Sequence, residues 1–76
     1  MNYLLRQAEL FGSLAAITSI IPEIYFRPPG NNILIIFKDQ LPTVEETAKI
    51  EAKLESFGDV TPHIYRKHSL IAFHIN

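Results

Sequence analysis

Apolar and polar residues alternate along this chain with two different periods, and the places where the period changes mark its elements. From Tyr3 to Ser19, Leu, Ala, Phe and Ile cover most of a 100° helical wheel, leaving Asn2, Arg6, Glu9 and Ser13 as a narrow polar stripe. This predicts a helix over 3–19, stopped by Pro22, which pushes the preceding residue toward extended backbone. Glu23 to Pro28 reads as a strand, Pro29, Gly30, Asn31 and Asn32 as a turn, and the β-branched run Ile33 to Lys38 as the returning strand. Thr43 and Glu46 then have the spacing of a capping box, so a second helix starts there and runs to about Phe57. Ile50, Leu54 and Phe57 lie on its inner face, and Gly58 stands where a left-handed C′ residue is wanted. Val60 to Arg66 and Ser69 to Ile75 form a second hairpin about Lys67 and His68. The order is αββαββ in one domain, 1–76.

Register follows from keeping large apolar side chains together, because residues opposite each other in an antiparallel ladder share a face. The second hairpin pairs Ile64 with Ile71, Pro62 with Phe73 and Val60 with Ile75. The first pairs Pro28 with Ile33, Phe26 with Ile35 and Ile24 with Phe37, placing Glu23 opposite Lys38. Proline lacks the ladder donor and belongs on edges, so Pro28 and Pro62 put the first and third strands outside and the second and fourth at the centre. With a right-handed crossover through the second helix, this is an α+β two-layer sandwich with both helices on one face of a four-stranded antiparallel sheet. It corresponds to a circularly permuted ferredoxin-like fold.

Composition narrows the functional classes. The chain has 76 residues, is 47% hydrophobic, and carries 7 basic against 8 acidic side chains. A domain this small buries only about 60% of its unfolded surface. It has no Cys to add a disulfide or a thiolate metal site. The charge balance excludes a polybasic tail, and the apolar content excludes a disordered chain. Leu10 to Ile21 is an uncharged stretch of 12 residues, short of the roughly 20 that span a bilayer, and no signal peptide is evident. The default expectation is a cytoplasmic chain without membrane insertion.

The face without helices is then expected to carry Glu23, Tyr25, Arg27, Leu34, Ile36 and Lys38 from the first hairpin. The second hairpin adds Thr61, His63, Tyr65, Leu70, Ala72 and His74. Leu34, Ile36, Leu70 and Ala72 form a contiguous apolar patch at its centre, of the kind that marks interaction sites. The first helix is a rival surface, since Gly12, Ser13, Ala15 and Ala16 allow close backbone approach, although the same stretch could pack on the second helix. His63 and His74 are diagonal neighbours about 7 Å apart on the sheet face, too few for a zinc site, so no metal or cofactor is expected. Ser13, Ser19, Ser56 and Ser69 have no paired His and carboxylate, and the three glycines are isolated, so an enzyme is not expected. The second helix presents Glu45, Glu46, Glu51 and Glu55 with Lys49 and Lys53, including a Glu45–Lys49 pair.

Residues 33–76 resemble the first part of an RNA-recognition motif in their strand, their Leu41-Pro42-Thr43 helix start and the run Ser56, Phe57, Gly58, Asp59, Val60. That family stacks bases on aromatic rings of the central strands, where this chain has Leu34, Ile36, Leu70 and Ala72. The element order is also similar to the small permuted plaits of assembly-platform proteins in type II secretion and type IV pilus systems, which implies a dimerising, non-catalytic module. The expected function is a non-enzymatic protein-interaction module, a homodimer burying Leu34, Ile36, Leu70 and Ala72 with Tyr25 and Tyr65 at the rim. The alternative is weak nucleic-acid binding through Arg27, Lys38, Arg66, Lys67 and the two tyrosines.

Overall fold

The computed structural model describes the backbone of residues 3–27 and 32–76, with side chains from Leu5 onward. Asn2 and residues 28–31 of the expected first turn lie outside the described residues; Asn32, expected in that turn, begins the second strand, and Ile33 pairs with Phe26 rather than with Pro28. The elements are α1 (Tyr3–Ala15), β1 (Glu23–Arg27), β2 (Asn32–Lys38), α2 (Val44–Leu54), β3 (Val60–Tyr65) and β4 (Leu70–Ile75). The sheet is antiparallel throughout in the order β1-β2-β4-β3, so the proline-free strands β2 and β4 are central as the sequence required.

One cluster holds the fold together. Leu10 and Leu14 of α1 and Ile50 and Leu54 of α2 are buried with Ile33, Ile35, Phe37, Ile71, Phe73 and Ile75. The six strand residues occupy alternate positions of β2 and β4 and share one sheet face, so both helices cover that face. The edge strand β3 is less well covered: Val60 is half-buried, while Pro62 and Ile64 are exposed.

α1 ends at Ala15, short of the expected 19 and well before Pro22. Ile17 and Thr18 both donate backbone N–H bonds to the Leu14 carbonyl, at 2.9 and 3.0 Å, and the chain turns. The following run Ile17-Thr18-Ser19-Ile20-Ile21 consists of β-branched and hydroxyl side chains that favour leaving a helix. Thr18 is buried, and its Oγ1 accepts the Ile20 N–H at 3.2 Å, which offers the backbone an alternative to another turn.

α2 begins as expected. The Thr43 hydroxyl accepts the Glu46 N–H at 3.0 Å, and the Glu46 carboxylate accepts the Thr43 N–H at 2.9 Å. After Leu54 the helix tightens to a 3-10 turn, Glu55–Phe57. Gly58 then takes φ 152°, ψ −167°, not the left-handed helical cap expected. This region is open almost only to glycine, and it lets the chain pass close beneath Ile75 and Asn76.

The second hairpin has the expected register, with Ile64 opposite Ile71, Pro62 opposite Phe73 and Val60 opposite Ile75. Its turn is longer, a 3-10 turn Arg66–His68 closed by Ser69 in the left-handed conformation, so Arg66 and Ser69 leave the strands. The first hairpin pairs Ile24 with Ile35 and Phe26 with Ile33, two residues from the expected register. Glu23 consequently faces Ile36, not Lys38. A shift of two keeps every side chain on its face, so alternation could not separate the two registers. No helix among the described residues is long and apolar enough to cross a membrane.

Candidate functional site

The face turned away from the helices carries three transverse rows and, beyond the third, the Arg27–Asn32 pair. Lys38, Leu70 and Tyr65 form the first; Glu23, Ile36, Ala72 and His63 the second; Tyr25, Leu34, His74 and Thr61 the third. The middle of the face is therefore Leu34 and Ile36 on β2 beside Leu70 and Ala72 on β4, as the sequence placed them. The two-residue shift of β1 changes only which edge residue flanks each row.

Burial within this face is graded. Leu34, Ile36, Leu70 and His74 are half-buried without a helix above them, because side chains of neighbouring strands shield one another. Ala72, expected to be open, is only 9% exposed, since a methyl group set among larger side chains lies at the floor of the patch. Tyr25 and Tyr65 stand out at the two edges, 47% and 51% exposed. A shallow hollow of about 420 Å³ is lined by Tyr25, Phe26, Arg27, Leu34 and Ile36.

One corner of the face is polar and self-satisfied. Lys38 Nζ lies 3.0 Å from Glu23 Oε2, and the Tyr25 hydroxyl donates to Glu23 Oε1. These two contacts hold the Glu23 carboxyl below its usual range, the tyrosine hydrogen bond contributing most. The same carboxylate raises both Tyr25 and Lys38, favouring the neutral phenol and the ammonium.

The four basic residues of the nucleic-acid alternative are not brought together. Arg27 sits opposite Asn32, at the other end of β2 from Lys38, roughly 20 Å away along the strand. Lys38 is committed to Glu23. Arg66 donates from Nη1 to the Pro42 carbonyl at 3.0 Å and from Nη2 to Thr47 Oγ1 at 3.1 Å, clamping the end of β3 to the start of α2. Of the four, Lys67 and Arg27 are exposed.

Other candidate groups are likewise dispersed. His63 lies opposite Ala72 and His74 opposite Thr61, the diagonal arrangement expected. Among the described residues no group of three or more His, Asp or Glu side chains is placed to hold a metal ion. Arg6, on the polar stripe of α1, donates from Nη2 to the Phe57 carbonyl at 2.7 Å, with its guanidinium 5.5 Å from the Phe57 ring centre. The small residues Gly12, Ser13 and Ala16 line a groove of about 640 Å³ that also meets Lys53, Ser56 and Phe57 of the α2 end. The expected Glu45–Lys49 pair forms at 3.4 Å.

The sequence reading missed one further apolar surface: Val44 of α2 and Ile64 of β3, 73% and 46% exposed, flank a groove of about 330 Å³. Its signal was the edge position of β3, since a helix packed over central strands cannot also cover the outermost one. Comparison with family models, with curated proteins and with solved structures finds no match for this chain.

Proposed function

We propose that this chain is a non-enzymatic interaction module that self-associates through its helix-free sheet face, with Leu34, Ile36, Leu70 and Ala72 at the centre and Tyr25 and Tyr65 at the rim. The observation that carries the reading is the row geometry: four apolar side chains adjoin across the central strands with no helix or strand among the described residues above them. Solvated sheet faces ordinarily alternate to polar residues, and apolar centres ringed by aromatic and polar side chains are interface-like. The polar corner fits the same arrangement, because Glu23 and Lys38 already neutralise each other and bring no unpaired charge to the contact.

We also read the architecture as a permuted ferredoxin-like plait. Starting the chain at β2 gives the element order β2-α2-β3-β4-α1-β1, which is βαββαβ. The face is about 19 Å wide for four strands and roughly 20 Å long, which is less than the roughly 800 Å² per partner of a standard stable interface, so a pair held by it alone is weak. Association is accordingly expected to depend on concentration within the experimental range.

Sedimentation equilibrium over a concentration series tests the reading, on the parent and on Ile36→Lys. The expected result is a dimer in the parent and a monomer in the variant, because a lysine at the patch centre adds a charge that contact must desolvate, beside a Glu23 carboxylate already shared by Lys38 and Tyr25. A parent that stays monomeric at the highest concentration, or a variant that associates equally well, removes the proposal. Insensitivity of the association to added salt would further separate apolar contact from phosphate binding.

A further inference from the structure

β3 is an edge with much to offer a second strand. Ile64 and Pro62 are exposed on the helix side, Tyr65 is exposed on the other, and Val44 lies across the groove from Ile64. Edge strands carrying exposed apolar side chains are templates for another chain unless something blocks them.

The ladder identifies the backbone groups an added strand would meet. Asp59 and Asn76 exchange both N–H···O=C bonds, at 3.2 and 2.9 Å. Bonded and non-bonded pairs alternate along an antiparallel ladder, so Thr61, His63 and Tyr65 direct their backbone groups at β4. Val60, Pro62 and Ile64 therefore direct theirs away from it. Pro62 is the middle of these three outward positions. Where an added strand needs an N–H, the ring carbon Cδ stands in its place and meets the incoming carbonyl oxygen. Because that nitrogen already points away from β4, the proline removes no bond from the sheet itself.

We infer that Pro62 caps the β3 edge against strand addition and so prevents this protein from growing through that edge. A pair of copies packed through the open face would keep both β3 edges on its outside. With those edges competent, pairs could join without closure. The inference rests on the ladder and is independent of the sheet-face reading.

The test is Pro62→Val, made alone and together with Ile36→Lys, each compared with its own parent by sedimentation and amide NMR. Restoring the donor is expected to add self-association in both backgrounds, with roughly a doubling of the weight-average mass or more. No gain in mass in either background overturns the inference. A folding-independent measurement uses the unaltered protein: the Val60 and Ile64 amides should exchange rapidly at every protein concentration, while those of Thr61 and His63 are protected. Protection of Val60 and Ile64 that grows with concentration would show the edge pairing despite Pro62, and would equally overturn it.

Discussion

The same chemical change at two glycines should move stability in opposite directions. At Gly58 an added Cβ would stand 2.8 Å from the Asn76 carbonyl oxygen and 2.9 Å from Ile75 Cγ2, with φ at 152°. Holding an alanine in that backbone region costs about 1–3 kcal/mol. The clash with Asn76 involves backbone, which cannot swing aside as a side chain could. Relieving it stretches the reciprocal Asp59–Asn76 pair, whose bonds are each worth about 0.5–1.5 kcal/mol. Gly58→Ala is therefore expected to destabilise by about 3–4 kcal/mol, a large share of the ~4–11 kcal/mol available to a chain this long. At Gly12, exposed inside α1, an added Cβ meets nothing within 4 Å, so alanine should stabilise by about 0.8–1 kcal/mol. Urea unfolding followed by far-UV circular dichroism reads both, with the slope unchanged in the Gly12 variant. A Gly58→Ala effect within about 0.5 kcal/mol of zero, or the same sign at both sites, would refute the reasoning.

Removing the Arg66 clamp with Arg66→Ala should cost about 1–2 kcal/mol, and Arg66→Lys should recover less than half of it, because a single ammonium cannot reach both Pro42 O and Thr47 Oγ1 as the planar fork does. Thermal unfolding of the three proteins decides this, and full rescue by lysine would contradict it. In Glu23→Gln, ultraviolet titration should show one tyrosine ionising at lower pH than in the parent, since the carboxylate that raises Tyr25 is gone. The stabilisation from this corner also has a defined window. Glu23 is depressed, so its contribution is present above the ordinary carboxylate pKa and fades as pH falls through the lowered value. Tyr25 and Lys38 are raised, so theirs is complete below their ordinary values of 10.0 and 10.5 and fades as pH rises through the raised ones. The stability difference between parent and Glu23→Gln should narrow at both extremes, and a pH-independent difference would exclude the coupling.

What the sequence by itself determined is whatever depends on period and on residue-specific backbone rules. Alternation in Ile33–Phe37 and Ile71–Ile75 assigned the faces, Thr43 and Glu46 marked the start of α2, and the prolines sorted edge from centre. Each of these acts over a few residues and survives in any compact arrangement. The central patch of Leu34, Ile36, Leu70 and Ala72 was legible for the same reason, since a pairing error of two residues leaves the faces intact. Tertiary structure alone decided the rest. The first hairpin's register depends on which neighbours meet across strands, and the early end of α1 depends on burying Thr18. Gly58 passes beneath a carbonyl that lies eighteen residues away in sequence, at Asn76. Arg6 read as part of a polar stripe and Arg66 as a candidate nucleic-acid contact, yet each donates to a backbone carbonyl far along the chain. Long side chains find such partners only after the elements dock, so local pattern carries no record of them.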